Sequence, residues 1–551
     1  MATAAPRGGL FGRVKPLDAI LATAEKKALV RTLGATQLTL LGVGAIIGTG
    51  IFVLTAEAAQ KAGPGMMLSF IIAGAVCAVA ALCYAEMASM VPVSGSAYTY
   101  SYAVMGEFLA WIVGWALVLE YTVAAGAVSV GWSGYFVGLL REYLGIALPP
   151  ELVNANALIA QIKLAFGSAP SAELTTAIEV GGYINLPAFL IALLVTWLLV
   201  IGTKESAWVN AVLVMIKITA LTVFVILAIP VMNAENFEPF APLGFAGISA
   251  AAASIFFAYV GFDAVSTAAE ETKNPQRNMP IGLIGSLAIC TVFYILVAAG
   301  VIGSVGAQPL VDAQGRGINP GDATAMAAAC SNVASEAVVC SREALAWTMR
   351  EIGWQQIGNL IGLAAGLALP SVVLMMIFGQ TRIFFVMSRD GLLPSALSKI
   401  HPKYHTPHVV TIITGLFVAL FAALFPVGAL ADISNSGTLF AFAMVAIAVM
   451  VLRKTDPGRR RPFRTPAIMV TAPLAILGCI YLFFSLSGYT LALFAGWAVI
   501  GFVVYFLYSR RHSHVGRGIV DVPELATDAP PSVGVPPMPG APAPGDPKER
   551  P

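Results

Sequence analysis

Long apolar blocks separated by short polar segments dominate the sequence. A helix needs about 20 apolar residues to cross a bilayer, because each residue adds about 1.5 Å of length. Twelve blocks of this kind can be marked, and we predict a membrane-spanning helix in each. They begin near Thr36, Met66, Phe108, Tyr183, Ala207, Phe245, Ile281, Trp354, Val409, Leu430, Ala467 and Leu491. The pattern predicts an all-α polytopic membrane protein.

The composition agrees with this pattern and excludes other classes. Of 551 residues, 58% are apolar and only 11% are charged. Soluble domains carry roughly 25% charged residues, so this chain has too few to cover a water-exposed surface. A soluble enzyme, a disordered chain and a disulfide scaffold are therefore excluded.

The distribution of basic residues predicts the orientation. When the segments between spans are assigned alternately to the two sides, 24 of the 31 Lys and Arg residues fall on the side of the N-terminus. Cytoplasmic segments of membrane proteins are enriched in Lys and Arg. We therefore predict a multi-pass protein of the cell (inner) membrane with both termini in the cytoplasm.

Five segments make up the predicted organisation. These are 1–35, cytoplasmic with an amphipathic helix; 36–230, spans 1–5 with a long external loop at 141–182; 231–452, spans 6–10 with a long external loop at 305–353; 453–508, spans 11 and 12; and 509–551, a Pro-rich cytoplasmic tail predicted to be disordered. The second external loop holds Cys330 and Cys340 on the oxidising side of the membrane, where a disulfide and two separate thiols are both open interpretations.

Two spans contain segments that disfavour a continuous helix. Span 1 contains four glycines between Gly42 and Phe52, and each glycine costs about 1 kcal/mol relative to alanine in a helix interior. Span 6 contains Gly261 and, in mid-span, Asp263. The two segments are five spans apart, which is the spacing of an inverted repeat led by broken helices. That arrangement is typical of secondary transporters, although glycines also serve close helix packing.

Four motifs closely resemble the cationic amino acid transporter branch of the amino acid–polyamine–organocation (APC) superfamily, in a bacterial form. They are GVGAIIGTGIFVLTAEAAQKAGPG, YAEMASMVPVSGSAYTYSYAVMGEFLAWIVGWALVLEY, FFAYVGFDAVSTAAEETKNPQRNMP and GQTRIFFVMSRDGLLP. The resemblance implies a LeuT-like core of ten helices in a 5+5 inverted repeat with helices 1 and 6 broken, and two peripheral helices. It also implies amino acid uptake coupled to protons.

The broken helices are the predicted binding site for an amino acid. Free amides at a helix N-terminus attract a carboxylate, and free carbonyls at a helix C-terminus attract an ammonium group. We expect the carboxylate at Gly48, Thr49 and Gly50, and the resemblance supports these positions. For the ammonium group we expect the carbonyls of Ile46, Phe257, Ala258 and Val260. The Thr49 hydroxyl bonding its own helix, and Phe257 serving only as core packing, remain alternatives.

Lys217 lies near the centre of span 5, about ten residues from either end. Its side chain cannot reach the membrane surface from there, and an intramembrane lysine costs about 3 kcal/mol on insertion scales. The resemblance implies that such a lysine takes the place of a sodium ion beside span 1. We predict that Lys217 couples proton movement to transport; a permanent structural pairing is the alternative.

Three carboxylates lie within or near the membrane: Glu120, Glu86 and Asp263. Each is a candidate for proton relay or for structural pairing, and Glu120 is also a candidate for selecting a basic side chain. Glu270 and Glu271, with Lys273 and Arg277, form either a gate or a solvated charge cluster at the inner mouth of span 6.

His401, His405 and His408 lie close together in the sequence, but Pro402 and Pro407 break any common helix face. We therefore expect no metal site. The chain also lacks a phosphate-binding loop and a catalytic constellation, so we expect no cofactor, no nucleic-acid partner and no enzymatic activity. A membrane-embedded enzyme and a channel remain distant alternatives.

The expected substrate is a neutral, apolar amino acid, carried by alternating access with proton symport. The apolar neighbours Ile46 and Phe257 favour this interpretation. Uptake of Arg or Lys, and amino acid exchange, remain alternatives. The lipid bilayer, the amino acid and protons are the expected partners, while a single-span accessory subunit and a homo-oligomer are left open.

Overall fold

A computed structural model describes residues 8–9, 12–15, 17, 33–91, 96–165, 171–202, 207–267, 269, 272–312, 314–331, 337–404 and 406–517. Its helices are α1 (Ala35–Ile46), α2 (Thr49–Phe52), α3 (Leu54–Ala62), α4 (Met66–Met90), α5 (Ser96–Val104), α6 (Glu107–Leu144), α7 (Asn156–Ala165), α8 (Ala172–Val180), α9 (Leu186–Ile201), α10 (Ala207–Ala228), α11 (Gly244–Ile255), α12 (Ala264–Thr267), α13 (Pro275–Val305), α14 (Ala323–Ser331), α15 (Ala344–Glu351), α16 (Gln355–Arg389), α17 (His408–Leu424), α18 (Val427–Thr455), α19 (Ile468–Phe484), α20 (Gly488–Val504) and α21 (Arg510–His512). Two small hairpins pair β1 (Gly8–Gly9) with β2 (Gly12–Arg13) and β3 (Val153–Asn154) with β4 (Ile184–Asn185).

Seven helices of the described chain are long and apolar enough to cross a membrane. Five further apolar helices of 10–17 residues coincide with predicted spans, namely α1, α9, α11 with its following turn, α17 and α19. Two of these five, α1 and α11, end at the interruptions predicted in spans 1 and 6. The fold is therefore that of a helical, multi-pass membrane protein.

Large apolar side chains cover the outside of the bundle. Phe484 and Met469 of α19 are 71% and 70% exposed, and Trp197 of α9 is 58% exposed. Contiguous apolar surface of this kind is unfavourable in water and favourable against lipid tails. These faces are therefore the ones that the bilayer covers.

The longest helix, α6, lies at the centre of the bundle and packs against α16 and α18. A second packing unit joins α13 to both α1 and α4. The interrupted segments after α1 and α11 lie between these two units, and their residues are buried. The helices thus hold two non-helical segments inside the molecule.

The two long loops contain helices of their own: α7 and α8 lie in 141–182, and α14 and α15 lie in 305–353. Cys330 and Cys340 form a disulfide, with their Cα atoms 5.8 Å apart. We call the end of the bundle that carries this bond the disulfide end. The predicted amphipathic N-terminal helix falls mostly outside the described residues, and the described part includes the β1–β2 hairpin. Residues 518–551 of the predicted disordered tail also lie outside them.

Candidate substrate site

The first interruption separates α1 from α2. Helix α1 ends at Ile46, Ile47 has an extended backbone (φ −72°, ψ 94°), and Gly48 precedes α2 with φ −147° and ψ −143°. All residues from Ile46 to Gly50 are buried. Non-helical backbone at this depth is tolerated where it lines a site rather than lipid.

The second interruption follows α11. After Ile255 the chain makes a short 3₁₀ turn over Phe256–Tyr259, and Val260 is extended. Gly261 has φ +120°, and a Cβ there would lie 2.9 Å from the carbonyl carbon and oxygen of Ala45 in α1. Glycine is needed here both for the backbone angle and for the close approach. The second interruption therefore packs against the end of α1.

The two interruptions are in direct contact. A Cβ at Gly50 would lie only 2.2 Å from Ala258 Cα, so the backbones of α2 and the 3₁₀ turn touch with no side chain between them. The Tyr294 hydroxyl of α13 lies 2.8 Å from the carbonyl oxygen of Ile46 and 2.7 Å from that of Ala258. One tyrosine therefore joins carbonyl oxygens of both segments.

Donors and acceptors for a zwitterion meet at this contact. Within the described chain, the amides of Gly48, Thr49 and Gly50 make no backbone hydrogen bond. The buried Thr49 hydroxyl also has no hydrogen-bond partner there. Buried polar groups are normally paired, so unpaired donors beside unwound carbonyls mark a place built for a polar ligand. Chemically, this arrangement can bind a carboxylate on one side and an ammonium group on the other.

Lys217 reaches the same region from α10. Its side chain is 1% exposed, and its Nζ donates a hydrogen bond of 2.8 Å to the carbonyl of Gly44 in α1. The last carbonyls of a helix have no partner within the helix. Gly44 is bonded by Lys217 and Ile46 by Tyr294, so two side chains hold the end of α1.

Apolar groups surround the first interruption. A Cβ at Gly48 would be in contact with Val372 of α16 at 3.4 Å, and a Cβ at Gly131 of α6 would meet the Thr49 side chain and Val53. Phe257 is 5% exposed and lies in the second interruption. No carboxylate lies among these neighbours. These surroundings of the interruptions suit an apolar side chain.

Glu120 and Asp263 are both 1% exposed, but their surroundings differ. The Asp263 carboxylate accepts hydrogen bonds from the Tyr121 hydroxyl (2.9 Å) and from the Gly261 amide (3.2 Å), so it braces the second interruption. The Glu120 carboxyl oxygens make no hydrogen bond of ordinary geometry to the described residues. A buried carboxyl group of this kind is a candidate for exchanging a proton or pairing with a cation.

In Glu86, by contrast, both carboxylate oxygens are bonded to protein groups. Arg453 of α18 binds it in a bidentate ion pair, with Nε–Oε1 at 2.9 Å and Nη2–Oε2 at 2.6 Å. The Thr465 amide donates to Oε2 at 2.7 Å, and Arg461 Nε lies 3.5 Å from Oε1. This geometry favours structural pairing over proton relay for Glu86.

We expect Arg453→Ala to lower the thermal unfolding temperature of the purified protein, because Glu86 is 0% exposed and would keep a buried, partly unpaired charge. Breaking a buried pair in this way costs about 3 kcal/mol. Arg460→Ala, at an exposed position in the loop that follows α18, is the matched control. Equal melting temperatures for the two variants would contradict the assignment.

Two of the three clustered histidines are described, His401 in the loop before α17 and His408 at the first residue of α17. His401 accepts hydrogen bonds from the amides of Lys403 and Tyr404 through Nδ1, and His408 lies beside it, while His405 is outside the described residues. No group of three metal-ligating side chains occurs in the described parts of the chain. Glu270 and Glu271 also lie outside the described residues.

Sequence reasoning missed Tyr294 and Tyr121. Both are single tyrosines in apolar helices, and nothing in the local pattern distinguishes them from core aromatics. A polar hydroxyl in mid-span is the signal that was available, since a buried Tyr hydroxyl normally finds a hydrogen-bond partner.

A multi-pass helical bundle that buries two touching, interrupted helices with unpaired polar groups has the design of a membrane transporter rather than an enzyme. The comparisons with known proteins identify the family. The family model described as amino acid permease matches residues 33–509, and the chain belongs to this family, within the APC superfamily.

Three relatives illustrate the range of the family. The chain is 44% identical to the branched-chain amino acid permease BcaP of Bacillus subtilis (strain 168), over 93% of this chain and 100% of that protein. It is 41% identical to the methylthioribose transporter of the same strain, over 92% of this chain and 99% of that protein. It is 34% identical to the vacuolar cationic amino acid transporter 4 of Arabidopsis thaliana, over 78% of this chain and 64% of that protein.

Proposed function

We propose that this permease imports neutral amino acids with branched, apolar side chains, binding them between the two interrupted helices. The observation that carries the proposal is the contact of Gly50 with Ala258, next to the unpaired amides and hydroxyl of Gly48 and Thr49. The carboxylate binds to these amides and to the Thr49 hydroxyl. The ammonium group binds to the carbonyls of Ile46, Phe257, Ala258 and Val260.

An apolar side chain is favoured by the surroundings of the first interruption. Val372, Val53 and Phe257 border it, and none of these described neighbours is a carboxylate that could receive a basic side chain. The name of the BcaP relative gives branched-chain amino acids as its substrates, which supports the same choice. Apolar contacts provide most of the binding energy, while the few polar groups fix the orientation.

Proton coupling is assigned to Lys217. In its ammonium form, the side chain donates to the Gly44 carbonyl and holds the end of α1 beside the ligand. Loss of the proton weakens this bond, which lets α1 move and the ligand leave. Glu120, buried without a hydrogen bond of ordinary geometry to the described residues, is the second group proposed to exchange a proton.

The proposed architecture is a LeuT-like core in which spans 1–5 and 6–10 form two inverted repeats, with two further spans completing twelve. The seven long and five shorter apolar helices supply twelve segments for this arrangement. The repeats move relative to each other in alternating access. The excess of Lys and Arg supports cytoplasmic termini in a cell membrane, with the disulfide end outside.

A thermal-shift panel tests the choice of substrate. We expect leucine, isoleucine and valine to stabilise the purified protein, by about 2.7 kcal/mol at 100 times Kd, because a ligand stabilises the state that binds it. Arginine, lysine and methylthioribose serve as comparisons. Arginine and lysine represent the alternative of cationic amino acid uptake, and methylthioribose is the substrate that the name of one relative gives. A largest shift with arginine would favour cationic amino acid uptake, and a largest shift with methylthioribose would exclude the amino acid assignment.

A liposome assay separates symport from exchange. With an acidic exterior and no internal amino acid, we expect proteoliposomes to accumulate radiolabelled leucine. An exchanger would take up label only when the liposomes are preloaded with unlabelled leucine. Uptake that depends on preloading and ignores the pH gradient would contradict the proton-coupled proposal.

A further inference from the structure

A cavity of about 420 Å³ lies at the disulfide end, between α3, α6, α18 and the two long loops. Its volume is within the range of ligand pockets, roughly 300–1,000 Å³. Val53, which immediately follows α2, lines its inner end, and the Cys330–Cys340 disulfide lines its roof. The cavity therefore lies between the disulfide and the candidate substrate site.

Only two of the described residues that line this cavity are charged, and they carry opposite charges: Glu57 of α3 and Arg342 of the roof. Most of the remaining lining is apolar, including Val130, Met326 and Phe425, with a few amide and hydroxyl groups. One anion and one cation around an apolar space are complementary to an amino acid with an apolar side chain.

The Glu57 carboxylate is available for a ligand. Its Oε2 atom is buried without a hydrogen-bond partner, and Glu57 forms no ion pair within 4 Å in the described chain. Lys61, the nearest cation along the same helix, pairs with Asp432 at 3.0 Å. The carboxylate packs on the first turn of α18, because a Cβ at Gly428 would lie 2.5 Å from Glu57 Oε1. No amide of α18 donates to it in the described chain, so Glu57 does not cap that helix.

Arg342 is similarly without a carboxylate partner within 4 Å among the described residues. Its Nη1 atom donates to the Val153 carbonyl at 2.9 Å, which holds the side chain over the cavity. Two other arginines at this end of the molecule do have a carboxylate partner, because Arg350 and Arg141 both pair with Glu343. Arg342 is thus a guanidinium group that can bind a carboxylate.

We propose that this cavity is a second, outer binding site for the zwitterionic amino acid, in which Glu57 binds the ammonium group and Arg342 the carboxylate before the ligand passes Val53 to the interrupted helices. This inference rests on the proposed function of the inner site. Glu57 is eight residues from Thr49, about 12 Å along a helix, so the two sites can be occupied together.

Equilibrium binding of leucine to the purified full-length protein tests the outer site. We expect two equivalents per chain in the wild type, one in Glu57→Gln, and two in the matched control Glu142→Gln, which lies at the same end outside the cavity lining. Loss of a charge-assisted hydrogen bond weakens the outer site about tenfold to a hundredfold. Two equivalents of unchanged affinity in Glu57→Gln would overturn the outer site.

A competition experiment needs no variant. 3-Methylbutylamine keeps the ammonium group and the apolar chain of leucine but lacks the carboxylate, so it loses contacts at both sites. It keeps a charge-assisted hydrogen bond only at the outer site, where Glu57 binds the ammonium group in place of neutral carbonyl oxygens. We expect it to displace one of the two leucine equivalents in the wild type. Displacement of both equivalents or of neither would contradict the assignment of the outer equivalent to Glu57.

The outcomes also separate this proposal from the function it rests on. One leucine equivalent in the wild type, with saturable uptake, overturns the outer site and leaves the inner site standing. No binding and no uptake of any amino acid overturns both. In Thr49→Val, whose inner site is impaired, we expect the amine-sensitive equivalent to remain.

Discussion

Replacing Lys217 by methionine is expected to reduce uptake driven by a pH gradient at least tenfold in proteoliposomes. Methionine keeps most of the side-chain volume but cannot donate to the Gly44 carbonyl, which Lys217 Nζ reaches at 2.8 Å. The variant therefore lacks the proton-dependent hydrogen bond that Lys217 donates to the end of α1. We expect wild-type uptake to increase as the exterior is acidified. The remaining uptake of the variant should lose most of this dependence on external pH.

The pH dependence distinguishes coupling from a structural role for Lys217. If Lys217 only stabilises α1, the methionine variant unfolds at a lower temperature but keeps the wild-type pH profile of its residual activity. Lys399→Ala, at an exposed position, is the control for removing a lysine. Wild-type rates with an intact pH dependence in Lys217→Met would end the coupling hypothesis.

The sequence located the interruptions because their cause is local. Clustered glycines weaken a helix wherever it lies, and the segment of four glycines in span 1 coincides with the end of α1 at Ile46. The functional importance of Lys217 could also be predicted from the sequence, since the cost of an intramembrane charge depends on its depth in the membrane. Features with a local energetic cause can be predicted without knowing the fold.

The partners of these residues could not be predicted in the same way. Tyr294 is 248 residues from Ile46, and Arg453 is 367 residues from Glu86. Such pairs depend on which helices pack together, and an apolar span shows little of its neighbours in its own sequence. Glu57 is a further example, because a glutamate near the end of a span reads as an ordinary surface charge until the cavity around it is known.

The twelve predicted spans also show how length limits a prediction. The two interruptions end α1 and α11 early, so these helices have 12 residues each, below the length of a complete crossing. A hydropathy pattern counts each interrupted span as one block because the interruption itself is apolar. The helix ends became visible only in the structure, where Ile47 and Val260 are extended.

Replacing Gly50 by alanine is expected to disrupt the contact between the two interruptions. The new Cβ would lie 2.2 Å from Ala258 Cα and 2.5 Å from Ala258 Cβ, far inside van der Waals contact. The atoms in the way include backbone, which cannot rotate aside as a flexible side chain does. The two interruptions must therefore separate, and the unpaired amides of the first no longer face the carbonyls of the second at the spacing of one zwitterion.

We expect Gly50→Ala to lower leucine binding at the inner site and transport by about a hundredfold or more, because a displacement of about 1 Å can produce an effect of that size. Gly126→Ala is the matched control: this glycine is also buried in a span, but its new Cβ would meet neighbours no closer than 3.5 Å, an ordinary contact. The control should bind and transport like the wild type. Gel filtration and thermal unfolding of both variants check that the protein remains folded. Because Gly50 lies at the contact between the two interruptions, transport by a folded Gly50→Ala variant at the wild-type rate would mean that the ligand binds elsewhere.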